Sequence, residues 1–600
     1  MERKGCDSAM WGRHFRHCAL WGRRLVMVCL LVISASTAVA GSPKLSRDLI
    51  AKTNSGLVNV IVQYNQVPTA AHHQLVFSRG GTLRRELGRF KGGAYRMPVS
   101  ELEDLASEPS VVYISPDRPI HGTSTGAPAA VLDYHIATIN APAAWAQGLD
   151  GSGIGVAVID SGVANVPDLT TANVVYSQDF TGSGSAVDQY GHGTHVAGII
   201  AGNGAMSTGS RFSYTFSGIA SNANIINLRV LDVNGTGTDS EVIAAIQTAI
   251  RLQGTYNIRV MNLSVGRPIF ESYAADPLCQ AVEQAWESGI VVVIAVGNDG
   301  RDNAAGTNGY GTVTAPGNDP YVITVGAINT EGTAVRTDDV IATYSSKGPS
   351  LLDQVVKPDI VAPGNLIDSL YFASATLNQE NPGYEVPLSL YVNNGPTSPS
   401  PYYYAMSGTS MATPMVSGAT ALLLQKNPNL TPDQVKATLM RTAFKDLVQT
   451  STITDPTTGQ TFNEQADIFT VGAGELDIQA ALENTTLAPA TPGSAMSPQA
   501  AVDANGNVVL QENGKSVLGS NSALWGNTIV WGTSALQDAS GSSGESVLSG
   551  TGALVADSVL WGTSTDEADS VLWGTSVLWG TSVLWGTASP VADPPSASRR

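Results

Sequence analysis

Residues 155–162 read Gly-Val-Ala-Val-Ile-Asp-Ser-Gly, an apolar run that ends on a carboxylate. Apolar residues at consecutive positions are typical of a strand covered on both faces, and such strands are usually parallel. The run therefore predicts a buried strand with Asp160 just past it. In open parallel sheets, functional residues collect at the carboxyl ends of the strands.

Similar apolar runs follow along the chain and alternate with helical patterns. The runs are Asn224–Leu228, Val260–Leu263, Val291–Val296 and Val322–Ile328. Helices are predicted at Ser240–Gln253 and Pro277–Ser288, and a further helix after a capping box at Thr431. This alternation predicts an α/β fold in which one parallel central sheet has helices on both faces.

Composition and charge limit the class of protein. The chain has 600 residues, of which 43% are hydrophobic and 14% are charged, and its net charge is −18. This length exceeds one core, the apolar fraction excludes a wholly disordered chain, and the charge argues against a nucleic-acid partner. Residues 41–120 carry +3 and residues 121–484 carry −19, so the two segments should attract each other.

Residues 1–40 have the pattern of a signal peptide. Arginines precede the continuous apolar run Leu25–Ile33, and Ala38-Val39-Ala40 offers a small-x-small cleavage site. A membrane anchor is the alternative, but the run is well short of the ~20 residues that a spanning helix needs. We therefore expect an exported chain, secreted or associated with the cell surface, with no transmembrane anchor.

Only one cysteine lies outside that segment. Cys6, Cys18 and Cys29 would be removed with the signal, which leaves Cys279 and no internal disulfide. Cys279 stands near a predicted helix start with Asp276 as its cap, so a buried structural thiol is expected.

The segment 41–120 is predicted to be a small α+β unit. Val58–Tyr64 and Val111–Ile114 predict strands, and Ser100 is expected to cap a short helix. About 80 residues are few for an independent domain, so we expect this unit to pack on the following one.

Two later segments differ in composition from the rest. Residues 365–404 are rich in Asn, Pro, Ser and Tyr without a clear period, which predicts a long surface insertion. In residues 485–600, a linker leads to repeats of Val-Leu-Trp-Gly-Thr-Ser. The repeat tryptophans are Trp525, Trp531, Trp561, Trp573, Trp579 and Trp585. A low-complexity tail and a stacked β-repeat or surface-binding module both stay open, and the partner of such a module is unknown.

Four short segments carry residue types suited to acyl transfer. They place Asp160 after a strand, His192 in Gly191-His192-Gly193-Thr194-His195, Asn298 after a strand, and Ser410 at a helix start with Pro414 in its first turn. Singly, each residue could be a turn or cap residue, and His192 with His195 could be a metal pair that lacks a third ligand.

Together these residues meet one chemical demand. A serine hydroxyl needs a base to act as a nucleophile, and an imidazole oriented by a carboxylate is such a base. An amide side chain and the Ser410 N–H at a helix N-terminus could stabilise an oxyanion. Histidine is also scarce, because residues 121–600 hold only His121, His135, His192 and His195.

In the order Asp160, His192, Asn298, Ser410, these motifs resemble the subtilisin-like serine proteases (subtilases) over about residues 140–445. The resemblance implies a subtilisin-like catalytic domain within 121–484 and an endopeptidase that acts on protein or peptide substrates. It implies a triad of Asp160, His192 and Ser410, with Asn298 as the oxyanion-hole amide. No cofactor is required for this chemistry.

The resemblance also implies a substrate cleft and a zymogen. Met261–Gly266 is similar to the edge strand that pairs with the substrate backbone. The S1 pocket would be walled by Ser264, Val265, Gly266, Ala295, Val296 and Gly297. No acidic residue stands among these, so apolar P1 residues of medium or large size are expected. Residues 41–120 resemble an inhibitory prosegment, cut off between Pro119 and Ala130, and a permanent N-terminal subdomain is the alternative.

Some features depart from the family pattern. Asn203–Phe216 does not resemble the calcium loop of many subtilisins, so the metal ligands are unknown. Acidic surface loops such as Asp338-Asp339 keep an unplaced structural calcium site open. Thr413-Pro414-Met415 stands where a histidine commonly follows the proline. The alternative functions are a silent surface protein that acts through its Trp repeats, and an esterase or peptide ligase that uses the same acyl-enzyme.

Overall fold

The computed structural model describes residues 42–50, 56–122, 125–126, 134–170, 172–455, 458–502, 508–512, 515–516 and 593. The predicted signal peptide and the Trp repeats lie outside the described residues, so what is expected of them stays a prediction.

The first part of the described chain is a small antiparallel sheet with short helices. Its elements are α1 (Arg47–Ile50), β1 (Leu57–Tyr64), α2 (Ala70–Phe77), β2 (Thr82–Leu87), β3 (Gly92–Pro98), α3 (Leu102–Ser107) and β4 (Val111–Pro116). The strand order is β2-β3-β1-β4. Both predicted strands are present. The expected Ser100 cap is wrong, because a 3-10 turn at Val99–Glu101 precedes α3 and makes Glu101 the residue before the helix.

The chain then enters a larger α/β body. The elements up to β13 are β5 (Pro119–Gly122), β6 (Thr125–Gly126), α4 (His135–Thr138), α5 (Ala141–Trp145), β7 (Gly155–Asp160), β8 (Val174–Asp179), α6 (His192–Ala201), β9 (Asn224–Arg229), β10 (Thr236–Thr238), α7 (Asp239–Tyr256), β11 (Ile258–Leu263), β12 (Val265–Gly266), α8 (Pro277–Glu287) and β13 (Val291–Ala295).

The remaining elements complete that body and the part that follows it. They are β14 (Ile323–Asn329), β15 (Val340–Ile341), β16 (Ile360–Pro363), β17 (Ile367–Leu370), α9 (Thr376–Glu380), β18 (Glu385–Pro387), α10 (Leu388–Tyr391), β19 (Pro399–Ser407), α11 (Thr409–Lys426), α12 (Pro432–Thr442), β20 (Thr450–Thr454), β21 (Thr461–Gln465), α13 (Ile478–Glu483), β22 (Gln499–Val502), β23 (Val508–Glu512) and β24 (Lys515–Ser516).

The central sheet has the strand order β15-β14-β13-β11-β7-β9-β8, with β16 also paired to β14. All its pairings are parallel except that of β15 with β14. Every residue of β7, β13 and β14 is buried, as consecutive apolar positions predict. Helix α6 packs with α11, helix α7 packs with α8, and both pairs contact the central strands. The predicted α/β fold with a mostly parallel sheet is confirmed.

The predicted helix caps explain where two helices start. The Asp276 carboxylate accepts the N–H of Leu278 at 2.9 Å, with Pro277 as the first residue of α8. Cys279 is fully buried in this helix as predicted, and burial raises the pKa of its thiol. The capping box at Thr431 is also present, at the start of α12.

The segment 365–404 is not the irregular surface insertion that its composition predicted. It contains β17, β18 and most of β19, which form an antiparallel sheet. Its tyrosines are largely inside, and Tyr391, Tyr403 and Tyr404 are at most 2% exposed. Their hydroxyls find partners that include residues far away in sequence, for example Tyr403 with the Asp168 carboxylate at 2.6 Å. A buried tyrosine hydroxyl usually has such a partner, and no sequence period reveals it.

Candidate active site

The central sheet brings a carboxylate and an imidazole together. Asp160 is the last residue of β7, His192 is the first residue of α6, and both are fully buried. Asp160 Oδ1 lies 2.7 Å from His192 Nδ1 and accepts the Ser161 N–H at 2.7 Å. Because the carboxylate accepts, Nδ1 carries the proton of the neutral ring, and Nε2 is the basic nitrogen. Nε2 has no hydrogen-bond partner among the described residues.

Asp188 holds the turn that leads into α6. One of its carboxylate oxygens accepts the N–H groups of Tyr190 and Gly191, and the other accepts the N–H and the hydroxyl of Thr194. Gly191 has φ of 110°, which favours glycine. Burial raises the pKa of Asp188. Asp188 was not among the predicted site residues, although an acidic residue just before a helix is a capping signal.

Ser410 lies at the start of α11 and is tied to Ser264. Its hydroxyl donates to the Ser264 carbonyl oxygen at 3.1 Å, and its own carbonyl oxygen accepts the Ser264 hydroxyl at 3.1 Å. Pro414 explains the second bond, since it has no N–H to offer the carbonyl four residues earlier. The prediction that Pro414 lies in the first turn is wrong, because α11 begins at Thr409 and Pro414 lies inside it.

Asn298 follows β13 and is oriented by Thr409. Its Oδ1 accepts the Thr409 N–H at 2.9 Å and the Thr409 hydroxyl at 3.0 Å. Since Oδ1 is turned to Thr409, Nδ2 is the donor that this amide can offer to a ligand. Thr409 was not among the predicted site residues, although it directly precedes Ser410.

A strand of the chain itself lies in the predicted substrate cleft. Strand β5 is the middle strand of a three-stranded antiparallel sheet between β10 and β12. His121 lies opposite Gly266 and Gly122 lies opposite Val265. A Cβ on Gly122 would lie 3.7 Å from the His192 ring. An extended segment of the chain therefore lies along the predicted cleft and reaches the imidazole.

This pairing corrects the predicted extent of the edge strand. Residues 261–263 belong to β11, which lies between β7 and β13 inside the central sheet. Only Val265 and Gly266 pair with β5. An inner strand has both its edges occupied, so residues 261–263 have no edge to offer a peptide.

The two segments predicted to wall the S1 pocket meet at Thr314. A Cβ on Gly266 would lie 2.6 Å from Thr314 Oγ1, and a Cβ on Gly297 would lie 2.8 Å from Thr314 Cγ2. Thr314 is fixed in turn, because its N–H and hydroxyl both bond to the Val296 carbonyl oxygen. Thr314 thus lies against both walls, and no sequence pattern pointed to it. The preference for apolar P1 residues stays a prediction.

His195, the second histidine of the motif, ties α6 to the antiparallel sheet of β17 and β19. It is fully buried, and its Nε2 lies 3.1 Å from the Ile367 carbonyl oxygen and 3.0 Å from the Tyr404 carbonyl oxygen. Two carbonyl neighbours require a proton on Nε2, so the neutral ring has an unprotonated Nδ1. Burial lowers the pKa of His195 to about 3.

This buried histidine predicts a loss of stability in acid. Its pKa is about 3 in the folded state and ~6.5 in the unfolded chain, so between these values only the unfolded state takes up the proton. The free energy of unfolding should therefore fall by up to ~1.4 kcal/mol per pH unit from this group as the pH drops through that window. His195→Gln keeps a donor near Nε2 and cannot titrate.

Denaturant unfolding at several pH values checks this prediction. With both chains carrying Ser410→Ala to prevent self-digestion, the difference in unfolding free energy between His195→Gln and its parent should be constant above pH ~6.5. It should shift in favour of the variant as the pH falls. Parallel curves down to pH ~4.5 would contradict the assignment.

Metal ligands are not grouped in the part of the chain that the structure describes. No cluster of three or more His, Cys, Asp or Glu side chains in this part could hold a metal ion. Asp339, expected on a surface loop, is fully buried instead, and burial raises its pKa. A structural calcium ion stays an unplaced expectation. Within the same residues, no helix combines the length and hydropathy needed to span a bilayer.

Comparisons with known proteins place the chain in a family. The sequence model of the Subtilase family matches residues 151–474. Serine protease AprX of Bacillus subtilis is 37% identical over 302 residues, which cover 49% of this chain and 62% of that protein. The match thus spans less than two thirds of the length of AprX. Subtilisin E of Bacillus subtilis is 33% identical over 378 residues, which cover 62% of this chain and 81% of that protein.

A solved structure supports the fold. The crystal structure of fervidolysin from Fervidobacterium pennivorans, described as a keratinolytic enzyme related to subtilisin, matches with a TM-score of 0.52. The match covers 78% of this chain and 66% of that one at 22% sequence identity. At this identity the likeness concerns the fold alone.

Proposed function

Because the chain belongs to the subtilase family of serine-type endopeptidases, we propose that it hydrolyses peptide bonds of proteins through an acyl-enzyme on Ser410. The observation that carries the proposal is the 2.7 Å hydrogen bond between the buried Asp160 and His192. It fixes the tautomer that leaves Nε2 as a base, beside a cleft that already holds an extended peptide segment.

The proposed reaction begins when Ser410 exchanges its hydrogen bond to the Ser264 carbonyl for one to His192 Nε2. The hydroxyl oxygen attacks the substrate carbonyl while Nε2 takes its proton, and Asp160 stabilises the imidazolium. The imidazolium then gives that proton to the leaving amine as the C–N bond breaks. A water molecule, deprotonated by the same nitrogen, hydrolyses the ester and restores the Ser410 hydroxyl.

The oxyanion of each tetrahedral intermediate needs two donors. The Ser410 N–H is one, because the first N–H groups of a helix have no acceptor within it. Nδ2 of Asn298 is the other, since Thr409 holds the opposite side of that amide. These two groups would place donors where charge develops in the transition state.

Asn298→Ala is therefore expected to lower kcat by about 10²–10³ with little change in KM. The reason is that the donor acts on the transition state more than on the bound substrate. Steady-state kinetics on a peptide anilide, with exposed Asn303→Ala from the same connection as control, measure the effect. An unchanged kcat would remove Asn298 from the oxyanion hole.

Residues 41–120 are proposed to be an inhibitory prosegment. Their unit is anchored to the larger body, since Arg118 is paired with Glu271 at 2.6 Å and the Asp117 carboxylate accepts the Ser240 N–H at the start of α7. Strand β5 then occupies the cleft, and β6 pairs with β19, the strand that ends at Ser407. A chain that runs through the cleft this way would block substrate.

The same arrangement narrows the expected maturation site. Gly122 lies beside His192, and Thr125 lies opposite Ser407, just before the helix that carries Ser410. Gly122 is thus the described residue beside the imidazole, and Thr125 is the next described residue and pairs with the strand that leads to the proposed nucleophile. We therefore expect the cut between Gly122 and Thr125, inside the wider range that the sequence predicts.

Self-processing tests the proposed function. Residues 41–600 are expressed as wild type and as Ser410→Ala, and mass and N-terminal sequence are followed over time. The wild type should lose about 80 residues and begin at residue 123, 124 or 125, then digest casein, while the variant stays intact. An intact wild type that digests casein would make the N-terminal unit permanent, and one that does not would favour a silent binding protein.

Export is proposed from the sequence of residues 1–40. The arginine-flanked apolar run and the cleavage site after it are what support a secreted or surface-associated chain. The Trp repeats are proposed to form a separate tail.

A further inference from the structure

Asp593, which follows the Trp repeats in sequence, is bonded into the α/β body. It is fully buried. Its carboxylate accepts three hydrogen bonds, from Arg301 Nη2 at 2.7 Å, from the Thr343 N–H at 2.6 Å and from the Thr343 hydroxyl at 2.6 Å. A carboxylate buried at this depth is strongly disfavoured unless such donors surround it.

The backbone of Asp593 is recognised as well. Its N–H donates to Asn365 Oδ1 at 2.9 Å, and its carbonyl oxygen accepts from Asn365 Nδ2 at 2.9 Å. One amide side chain thus satisfies both main-chain groups of one residue, which requires those groups to point to the same side. Pro594 favours this form, because a residue before proline is biased toward an extended backbone.

The groups that contact Asp593 are themselves held in place. Arg301 Nε donates to the Thr343 hydroxyl at 2.7 Å, and the guanidinium lies over the Phe462 ring at 5.0 Å. Thr343 is fully buried and Asn365 is 3% exposed. The pocket is therefore built by the body of the protein, and its shape does not depend on flexible surface side chains.

The pocket adjoins both segments that carry the proposed oxyanion hole. Arg301 follows Asn298 by three residues. The Ser407 hydroxyl donates to Asn365 Oδ1 at 3.3 Å and accepts the Leu366 N–H, and Ser407 is the last residue before the Gly408 cap of α11. Arg301 and Asn365 therefore connect an occupant of the pocket to the segments that carry Asn298 and Ser410.

We propose that Arg301, Thr343 and Asn365 form a docking site for the segment around Asp593 of the same chain, which they recognise through the carboxylate and the main chain of that residue. The site selects an acidic residue in an extended segment. Strands β22–β24 also pair with one another just before the Trp repeats, and Val355 is bridged to Gln499. The Trp repeats therefore stand in sequence between two attached points.

A double-mutant cycle in the full chain tests the docking. All chains carry Ser410→Ala, so that the tail is not cut, and the pair is Asp593→Asn and Arg301→Gln. Asp569→Asn, the same change elsewhere in the tail, is the control. We expect Asp593→Asn to lower the Tm by several degrees relative to the control, and the two substitutions to be non-additive, because each removes the same contact. An unchanged Tm, or strictly additive shifts, would overturn the proposal.

A peptide identifies the occupant. A labelled peptide of residues 588–600 is titrated into the Asp593→Asn chain and the Asp569→Asn chain, with fluorescence anisotropy as the readout. The peptide should bind the first at least about tenfold more tightly, because its site is no longer filled by the chain's own Asp593. A peptide carrying Asp593→Asn should not bind. Equal binding to both chains, or equal binding by both peptides, would show that Asp593 is not the recognised residue.

Discussion

Ser410→Ala is expected to abolish turnover, with kcat reduced about 10⁶-fold, a loss of the size found when serine proteases of this kind lose their nucleophile. The hydroxyl is the group that would form the acyl-enzyme, and alanine has nothing to replace it. The same change removes the hydrogen bond from the Ser410 hydroxyl to the Ser264 carbonyl. The fold should stay intact, because the bond from the Ser264 hydroxyl to the Ser410 backbone carbonyl does not involve the lost side chain.

The assay must distinguish the loss of the nucleophile from a cleft that is blocked by the uncut prosegment. An unprocessed variant would keep β5 in its cleft, so absent turnover could reflect a filled site. Tagged wild-type enzyme, removed before the assay, can cut the prosegment in trans. The processed variant should still be inactive on a peptide anilide. Turnover close to that of the wild type would overturn the role of Ser410.

Three further variants serve as comparisons for Ser410→Ala. Ser417→Ala makes the same change on the same helix, where the hydroxyl bonds to Asn262 Oδ1 at 2.8 Å, and should keep its activity. His192→Ala should lose about as much as Ser410→Ala, and the double variant no more than either, because nucleophile and base act as one unit. Additive losses would mean that the two residues act separately.

The parts of the fold that could be predicted are those in which each residue's burial follows from its neighbours. Strand β7 is covered on both faces, so its apolar residues are consecutive and the strand is visible in the sequence. The ends of such strands are then known, and Asp160 and Asn298 are found because they stand there. Local capping signals such as Asp276 and Thr431 are recognised in the same way.

The rest depends on contacts between residues far apart in sequence. Pro414 looks like a first-turn proline, and only the structure shows that Ser264 satisfies the carbonyl bond it gives up. Tyr403 looks like part of a polar insertion until the Asp168 carboxylate that accepts its hydroxyl is in view. Thr314 stands in no motif, and its place against two glycines results from the packing of separate connections. Such pairings leave neither a period nor a local bias in composition that could be recognised in the sequence.

The family resemblance supplied what the residues alone left open. Local patterns allow Asp160 to be a turn residue and His192 to be half of a metal pair. The observed bond between Asp160 and His192, and the separate use of His195 as a buried donor, favour an oriented base over that pair. The proposed catalytic roles of Asp160, His192, Asn298 and Ser410 are tested by the kcat values of their variants.

Asp160→Asn is expected to lower kcat by about 10⁴ while leaving the structure of the site nearly unchanged. Asp160 Oδ1 accepts both the His192 Nδ1–H and the Ser161 N–H, at 2.7 Å each. An asparagine can turn its NH₂ group toward the imidazole only by giving up the Ser161 bond, because the same oxygen accepts both donors. His192 would then accept through Nδ1 and carry its proton on Nε2, where it can no longer take one from Ser410.

Substrate affinity should not change in Asp160→Asn, because the tautomer of His192 affects the proton transfer. Substrate is proposed to bind along β12 and the pocket walls, which this change does not touch, so KM should stay within a few-fold of the wild type. Asp179→Asn makes the same substitution at the end of β8, another parallel strand of the central sheet, and should keep full activity. Steady-state kinetics on processed enzyme measure both. If kcat fell less than about tenfold in Asp160→Asn, the carboxylate would not be needed to orient the base, and its hydrogen bond to His192 would be a structural contact alone.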